Sequence, residues 1–352
     1  MRRFVSVVAL VALAACTKTE APPAGTNTAG GTPGARIMVN GAGATFPNPI
    51  YSKWFSDYNK LRPDVRINYQ SIGSGGGIKQ LTSQTVFFGA TDGPMTDEQL
   101  KSAPAPILHF PTVLGGVVPA YNLPNVSAEL KFPGPLLAQM YLGNIKKWND
   151  AAIAKANPGV ALPNLDVTII HRSDGSGTSY IWCDYLSKVS PEFKQRVGVA
   201  TSVSWPTGVG AKGNEGVSGM VRQIPGSIGY VELIYALQND ITFGSVQNAA
   251  GEYVRASLDS VTSAAASAAA NMPADFRVSI TNAQGKGAYP ISSFTWILLY
   301  QNPTDKVRGK IMADFMKWAL SDGQKAAAPL GYAPLPKQVI DLELQALQKI
   351  QL

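Results

Sequence analysis

From residue 36 onward the chain alternates short apolar runs with longer stretches in which apolar residues recur every three or four positions. The short runs, bounded by glycine, proline and asparagine, predict strands at 36–40, 65–70, 86–90, 107–113, 117–121, 167–172, 227–231 and 294–300. After the first strand, Ile50, Trp54, Phe55 and Tyr58 fall on one face of a helix. Near the end, Val307, Ile311, Phe315 and Trp318 mark a packing helix, and Val339, Ile340, Leu344, Leu347 and Ile350 mark another. Strands alternating with helices predict α/β sheets with helices on both faces. Ligands of such sheets collect at the carboxyl ends of strands, where the next helices begin. Residues 37–352 exceed what one compact core holds and predict two domains.

The first residues depart from this pattern. MRRFVSVVALVALAAC has two arginines, an apolar run and a small-residue end, the layout of a secretory leader too short to span a membrane. Leu13-Ala14-Ala15-Cys16 resembles the lipobox of bacterial lipoproteins, which implies a signal peptide at 1–15, cleavage before Cys16 and acylation of that cysteine. A plain signal peptide with a cysteine near its end is the other reading. Stable membrane attachment takes more than one acyl chain. Residues 16–36 have almost no large apolar side chain, so this segment is expected to be a flexible tether.

Charge and cysteine content narrow the function classes. The formal charge of +7 drops by two when Arg2 and Arg3 leave with the leader, and no basic stripe with interleaved aromatics suggests nucleic acid binding. With Cys16 acylated, Cys183 is the remaining thiol, so neither a disulfide framework nor a cysteine metal site can form. Cys183 fits a buried small hydrophobe better than a reactive thiol.

Four stretches lie where ligands collect. Gly41-Ala42-Gly43-Ala44-Thr45-Phe46-Pro47 and Ser71-Ile72-Gly73-Ser74-Gly75-Gly76-Gly77 each follow a strand and precede a helix. Asp92 directly follows a strand end, as a cleft acceptor or as a turn aspartate before Gly-Pro. The fourth, HRSDGSGTSYIWCDYL at 171–186, runs from a strand through Arg172 into a helix starting at about Thr178. There the amides of Gly177, Thr178 and Ser179 lack intrahelical partners and face the positive end of the helix dipole. Arg172 adds a permanent forked charge, and Ser176, Thr178 and Ser179 add hydroxyls. Alone, each stretch reads equally as an ordinary turn or capped loop; their repetition in one chain favours an anion site.

GAGATFPNPIYSKW, SIGSGGGIKQ, FFGATDGPMTDEQL, FPTVLGGVVPAYN, YLGNIKKWND, HRSDGSGTSY, KGNEGVSGMV and PGSIGYVE together resemble the periplasmic phosphate-binding proteins of phosphate-specific ABC transporters. The match runs in order from about Gly41 to the C-terminus and is weaker through the Ala-rich 256–270 segment. This resemblance implies an α/β fold of the two-lobed type II periplasmic binding protein class, each lobe a mixed sheet flanked by helices, with phosphate between the lobes. It assigns 37–117 plus 290–352 to lobe I and 118–289 to lobe II, with crossings near 115–119 and 289–291. It implies phosphate contacts from Thr45, the Phe46 amide, Ser74, Asp92, Arg172, Ser176, Gly177 and Thr178, with Asp174 holding the guanidinium, and Gly75 and Ser179 in support. Gly75 stands where relatives commonly carry a serine, and Phe87 where an aspartate is expected.

The implied function is high-affinity extracytoplasmic phosphate binding and delivery to ABC transporter permease subunits, by a monomer held on a membrane through Cys16, at the periplasm or cell surface. Neither metal nor cofactor is expected. Helix-start amides, hydroxyls and one arginine replace the water that phosphate loses. Phosphate keeps a proton at neutral pH, and Asp92 is the expected acceptor; sulfate offers no proton and meets an unpaired carboxylate. The alternative is a binder of another tetrahedral oxyanion or a phosphate scavenger without a transporter. No catalytic residue is expected: Ser176 is not in a G-x-S-x-G elbow, and SGGGIKQ lacks the ending of a nucleotide loop. The two histidines, His109 and His171, show no pattern of a base or metal ligand.

Overall fold

A computed structural model describes residues 36–352. The leader at 1–15, Cys16 and the tether up to residue 35 lie outside the described residues.

Eleven strands are described: β1 Ile37–Gly43, β2 Val65–Ser71, β3 Phe88–Thr91, β4 Ile107–Tyr121, β5 Lys131–Phe132, β6 Thr168–Arg172, β7 Val209–Ala211, β8 Ser227–Glu232, β9 Ser245–Gln247, β10 Tyr253–Val254 and β11 Ser292–Tyr300. Eight form one mixed sheet in the order β2-β1-β3-β11-β4-β8-β6-β7, and β10-β9-β5 form a small second sheet. Pairing is parallel within β2-β1-β3 and within β8-β6-β7, and antiparallel through β11 and β4 between them. The result is two α/β lobes with helices on their faces, joined through the middle of the sheet.

One strand, β4, runs through the join. Where the hydrophobic pattern predicts two strands broken at 114–116, β4 runs unbroken for 15 residues. Its first part, 107–116, pairs with β11, and from Val117 it pairs with β8. Gly115 and Gly116, between the two predicted strands, serve close packing. A Cβ on Gly115 would come 2.6 Å from the Phe46 ring and 2.8 Å from Glu232 Oε1, and one on Gly116 would come 3.2 Å from the Tyr289 ring. The returning chain lies beside this crossing, with Val117 N donating to Ile291 O at 2.8 Å and Tyr289 Oη donating to Val117 O at 2.8 Å.

Two other expectations shift for the same reason. β1 continues through Gly41 to Gly43 because β2 and β3 pair with it on either side. Gly41 lets the Phe88 ring lie on the strand, since a Cβ would meet it at 2.1 Å. In the second glycine stretch the helix begins at Ser74, four residues before the expected start at Ile78, directly after Gly73 with its φ of 90°. Ser74 through Gly77 therefore form the first helical turn.

The C-terminal helix Lys306–Ala319 packs back on the first lobe. The Phe315 ring lies 5.2 Å from Phe55 and 5.3 Å from Tyr58, and Trp54 Nε1 donates to Gly323 O at 2.7 Å. Not every position of the two apolar stripes packs: Val307 is 59% exposed and Leu344 is 38% exposed, because periodicity marks a face and not what covers it.

Helix Ser74–Thr82 is pressed against β1 through Gly77, where a Cβ would come 2.4 Å from Gly43 Cα and 2.5 Å from Ala42 O. Gly77→Ala is therefore expected to destabilise the protein by about 2 kcal/mol despite the better helix propensity of alanine. The check is the denaturation midpoint in urea; an unchanged or higher midpoint would show that helix and strand separate at little cost.

Candidate functional site

Three strand-to-helix junctions and one strand end meet at the seam between the lobes. Thr45 and Phe46 lie in the turn between β1 and helix Asn48–Leu61; Ser74 opens its helix; Asp92 follows β3. From the second lobe, Arg172 ends β6, Ser176 is the N-cap of helix Gly177–Val189, and Gly177, Thr178 and Ser179 form its first turn. Thr45, Phe46, Ser74, Asp92, Arg172, Ser176, Gly177, Thr178 and Ser179 are all buried, while Asp174 and Gly75 are half-buried. Of these, Thr45, Ser74 and Gly75 bond across to the second lobe, and Asp92 lies against Gly177.

Their hydrogen bonds cross from lobe to lobe. Ser74 Oγ accepts from Gly177 N at 3.0 Å and from Asp92 N at 3.2 Å. Gly75 N donates to Gly175 O at 2.8 Å, and a Cβ on Gly75 would come 3.0 Å from Gly175 Cα. Here the Gly75 amide serves contact between lobes, which explains why a bulkier residue is absent. Ser176 Oγ accepts from Ser179 N at 3.0 Å, whereas Thr178 N, in the first turn, has no carbonyl behind it. Asp92 Oδ2 lies against that helix start: a Cβ on Gly177 would come 2.6 Å from it, so only glycine lets the carboxyl approach the positive helix end.

Arg172 is held on several sides. Its Nε and Nη2 grip Asp174 at 2.8 and 2.5 Å, and its Nη1 donates to Thr178 Oγ1 at 3.3 Å. Its backbone N donates to Tyr230 Oη at 3.0 Å, and that hydroxyl shares a 2.6 Å bond with Ser179 Oγ. Burial works against the Asp174 carboxylate, but its hydrogen bonds and charge pairing with Arg172 prevail and hold it below the usual carboxylate range. Asp92 behaves oppositely. Burial raises it from 3.8 to about 7, against the lowering effects of the Thr295 hydroxyl, Arg172 and Ser74. Thr295 Oγ1 donates to Asp92 Oδ1 at 2.8 Å, and the Ser74 hydroxyl reaches Oδ2 only at 3.5 Å, leaving Oδ2 the freer acceptor.

Sequence reasoning missed four contributors: Asn214, Tyr230, Glu232 and Thr295. Asn214 and Glu232 lie in the quoted KGNEGVSGMV and PGSIGYVE segments, which were legible as motifs but not as site residues; Thr295 lies in an ordinary strand and carried no signal. Asn214 Nδ2 donates to Thr45 Oγ1 at 2.8 Å and to Thr178 Oγ1 at 3.1 Å. Glu232 caps helix Leu233–Gln238 through Oε2, at 2.8 Å from Ile234 N; burial, with Asp92 nearby, lifts it well above the usual range.

The other expected residues have structural surroundings. His109 is buried and accepts from Met95 N at 3.1 Å, and burial pulls it down to about 3. The His171 ring stacks on Trp205 at 5.3 Å. Cys183 is fully buried, and burial pushes its thiol well above the ordinary value. Phe87 is half-buried and precedes β3, with its backbone N bonded to Asn40 O at 2.7 Å. Among the described residues, no group of three His, Cys, Asp or Glu side chains is placed to hold a metal ion, and no helix is long and apolar enough to cross a membrane.

Comparison with known proteins gives these features a family. A model for the PBP superfamily domain matches residues 17–323. The phosphate-binding protein PstS of Xylella fastidiosa is 50% identical over 305 residues, covering 86% of this chain and 83% of the relative. The chain belongs to the PstS family. PstS relatives from Pasteurella multocida and Methanocaldococcus jannaschii are 48% identical over 314 residues and 35% identical over 339 residues, each covering at least 87% of either chain. The PstS fold is shared at low identity with a phosphate binding protein from Stenotrophomonas maltophilia, at a TM-score of 0.68, 19% identity and coverage of 88% of this chain and 93% of that one. An ABC-type phosphate transport receptor from Vibrio cholerae gives a TM-score of 0.55 at 17% identity, covering 85% of this chain and all of that one.

The raised Asp92 carboxyl makes a pH prediction for the phosphate-stripped protein. Its ionised form is disfavoured by folding, so its contribution is fully present below about pH 3.8, declines as pH rises to about 7 and is constant above. Asp92→Asn is expected to remove this part of the slope, up to about 4 kcal/mol between pH 4 and 8. Parallel pH profiles of unfolding free energy for the two proteins would contradict it.

Proposed function

We propose that this protein captures inorganic phosphate outside the cytoplasm and delivers it to the permease of an ABC transporter. One observation carries the reading: Asp92, buried and with Oδ2 its less engaged oxygen, faces the start of helix Gly177–Val189 beside the anchored Arg172. The helix start and guanidinium suit any tetrahedral anion. The carboxyl selects, because a proton-bearing phosphate can donate to Oδ2 while sulfate meets an acceptor with nothing to accept. Membership of the PstS family, whose relatives are named phosphate-binding proteins, supports the same substrate.

The phosphate contacts are assigned to Thr45, the Phe46 amide, Ser74, Asp92, Arg172, Ser176, Gly177 and Thr178. The lobes are taken as 37–117 plus 290–352 and 118–289, hinged where β4 changes partner after Gly116 and where the chain returns at 289–291. The pairing change in β4 and the contacts of Ile291 and Tyr289 with Val117 support this boundary. Closing the lobes brings the two halves of the site together, and the permease reads closure as loading. The protein works as a monomer held at the membrane by lipid on Cys16, and it binds and releases phosphate without turnover.

Calorimetry on stripped protein is expected to show tight binding of phosphate and arsenate and sulfate binding at least 100-fold weaker. Asp92→Asn should narrow that ratio, because an amide can donate where the carboxylate only accepts; an unchanged ratio would sink the selectivity argument. Strong sulfate binding by the wild type would favour the other-oxyanion reading. Arg172→Ala should weaken phosphate binding by roughly 100-fold or more. Retained cooperative unfolding is the companion result, and loss of cooperativity with affinity unchanged would make Arg172 structural.

A further inference from the structure

The seam contains a side chain whose bonding is unusually complete. Asn214, fully buried on helix Gly213–Gln223, accepts at Oδ1 from Glu232 N at 2.9 Å. That backbone donor settles which way the amide faces and turns both Nδ2 hydrogens the other way. One reaches Thr45 Oγ1 in the first lobe and the other Thr178 Oγ1 in the second.

The consequence lies in the hydroxyls. A threonine hydroxyl has two acceptor positions and one hydrogen. Thr45 Oγ1 accepts from Asn214 Nδ2 at 2.8 Å and from Asn214 N at 3.2 Å. Thr178 Oγ1 accepts from Asn214 Nδ2 at 3.1 Å and from Arg172 Nη1 at 3.3 Å. With both acceptor positions filled, each hydroxyl can only donate. Resting on the phosphate reading, we infer that Asn214 is a positioning residue: it fixes the hydrogens of Thr45 and Thr178 as donors to the bound anion. Neither threonine then presents a lone pair to an oxyanion, and neither spends binding energy on reorientation. Because Thr45 belongs to the first lobe and Asn214 to the second, its donor state is completed only when the lobes meet. Ser74 Oγ likewise accepts from Gly177 N and Asp92 N, and its hydroxyl points toward Asp92 Oδ2 at 3.5 Å.

The test is a phosphate calorimetry cycle on wild type, Asn214→Ala, Thr45→Val, Thr178→Val and the doubles Asn214→Ala/Thr45→Val and Asn214→Ala/Thr178→Val, with thermal unfolding of each stripped protein. Each threonine change should weaken phosphate about tenfold, and Asn214→Ala, acting on both, by about 30-fold or more. Each double should be no more than about threefold worse than Asn214→Ala alone, because the hydroxyl it removes is already misdirected. Thr45→Ser keeps the hydroxyl and should keep affinity within about threefold, an arm that stands even if Asn214→Ala does not fold. Affinity losses that multiply in the doubles, or a Thr45→Ser loss equal to that of Thr45→Val, would overturn the inference while leaving phosphate binding intact. Failure of the wild type to bind phosphate would instead overturn the functional reading and this inference with it.

Discussion

A dehydrated polar seam governs this molecule. Burying a hydroxyl, amide or charge without a partner costs on the order of 1–3 kcal/mol or more, so the polar groups gathered between the lobes must satisfy one another. Three pairs do so across the seam, Ser74 with Gly177, Gly75 with Gly175, and Thr45 with Asn214, while Glu232 Oε1 has no hydrogen-bond partner. Each bond needs both lobes in place. The same groups whose bonding suits an anion therefore also hold the lobes together, and the chemistry of the site is inseparable from its geometry.

Within that seam two charged groups are treated in opposite ways. Arg172 is gripped by Asp174, so its charge is kept and aimed. Asp92 has hydroxyl partners and a burial penalty that outweighs the distant help of Arg172, so its proton affinity lies near neutrality. An anchored cation beside a carboxyl that readily shares a proton matches an anion that itself carries one.

The sheet runs continuously through both lobes. β4 belongs to both: it pairs with β11 up to Gly116 and with β8 from Val117. At that point Gly115 admits the Phe46 ring and Glu232, and Tyr289 ties the returning chain to Val117. The strand changes partner close to the site.

Much of this was written in the order of residues. Strand, small-residue stretch and helix follow one another so plainly around Thr45, Ser74 and Arg172 that the three junctions and the α/β class could be named from local pattern, since each depends on a few adjacent residues, whereas individual contacts such as Thr45, the Phe46 amide and Ser74 were implied by the family resemblance. Where contacts come from far along the chain, local pattern failed. Strands 107–113 and 117–121 were expected to be separate, yet long-range pairing with β11 and β8 keeps β4 unbroken; Gly41 and Gly43 read as loop, yet strands on both sides hold them in β1. Val307 fitted an apolar stripe but meets solvent. Asn214, Glu232 and Thr295 acquire meaning only through partners 18 to 203 residues away. The sequence by itself determined which groups reach the strand ends, because propensity and spacing act locally. Only the tertiary structure decided which hydroxyls have their lone pairs occupied and which carboxyl has its proton affinity raised, because lone-pair occupancy and burial are properties of neighbours in space.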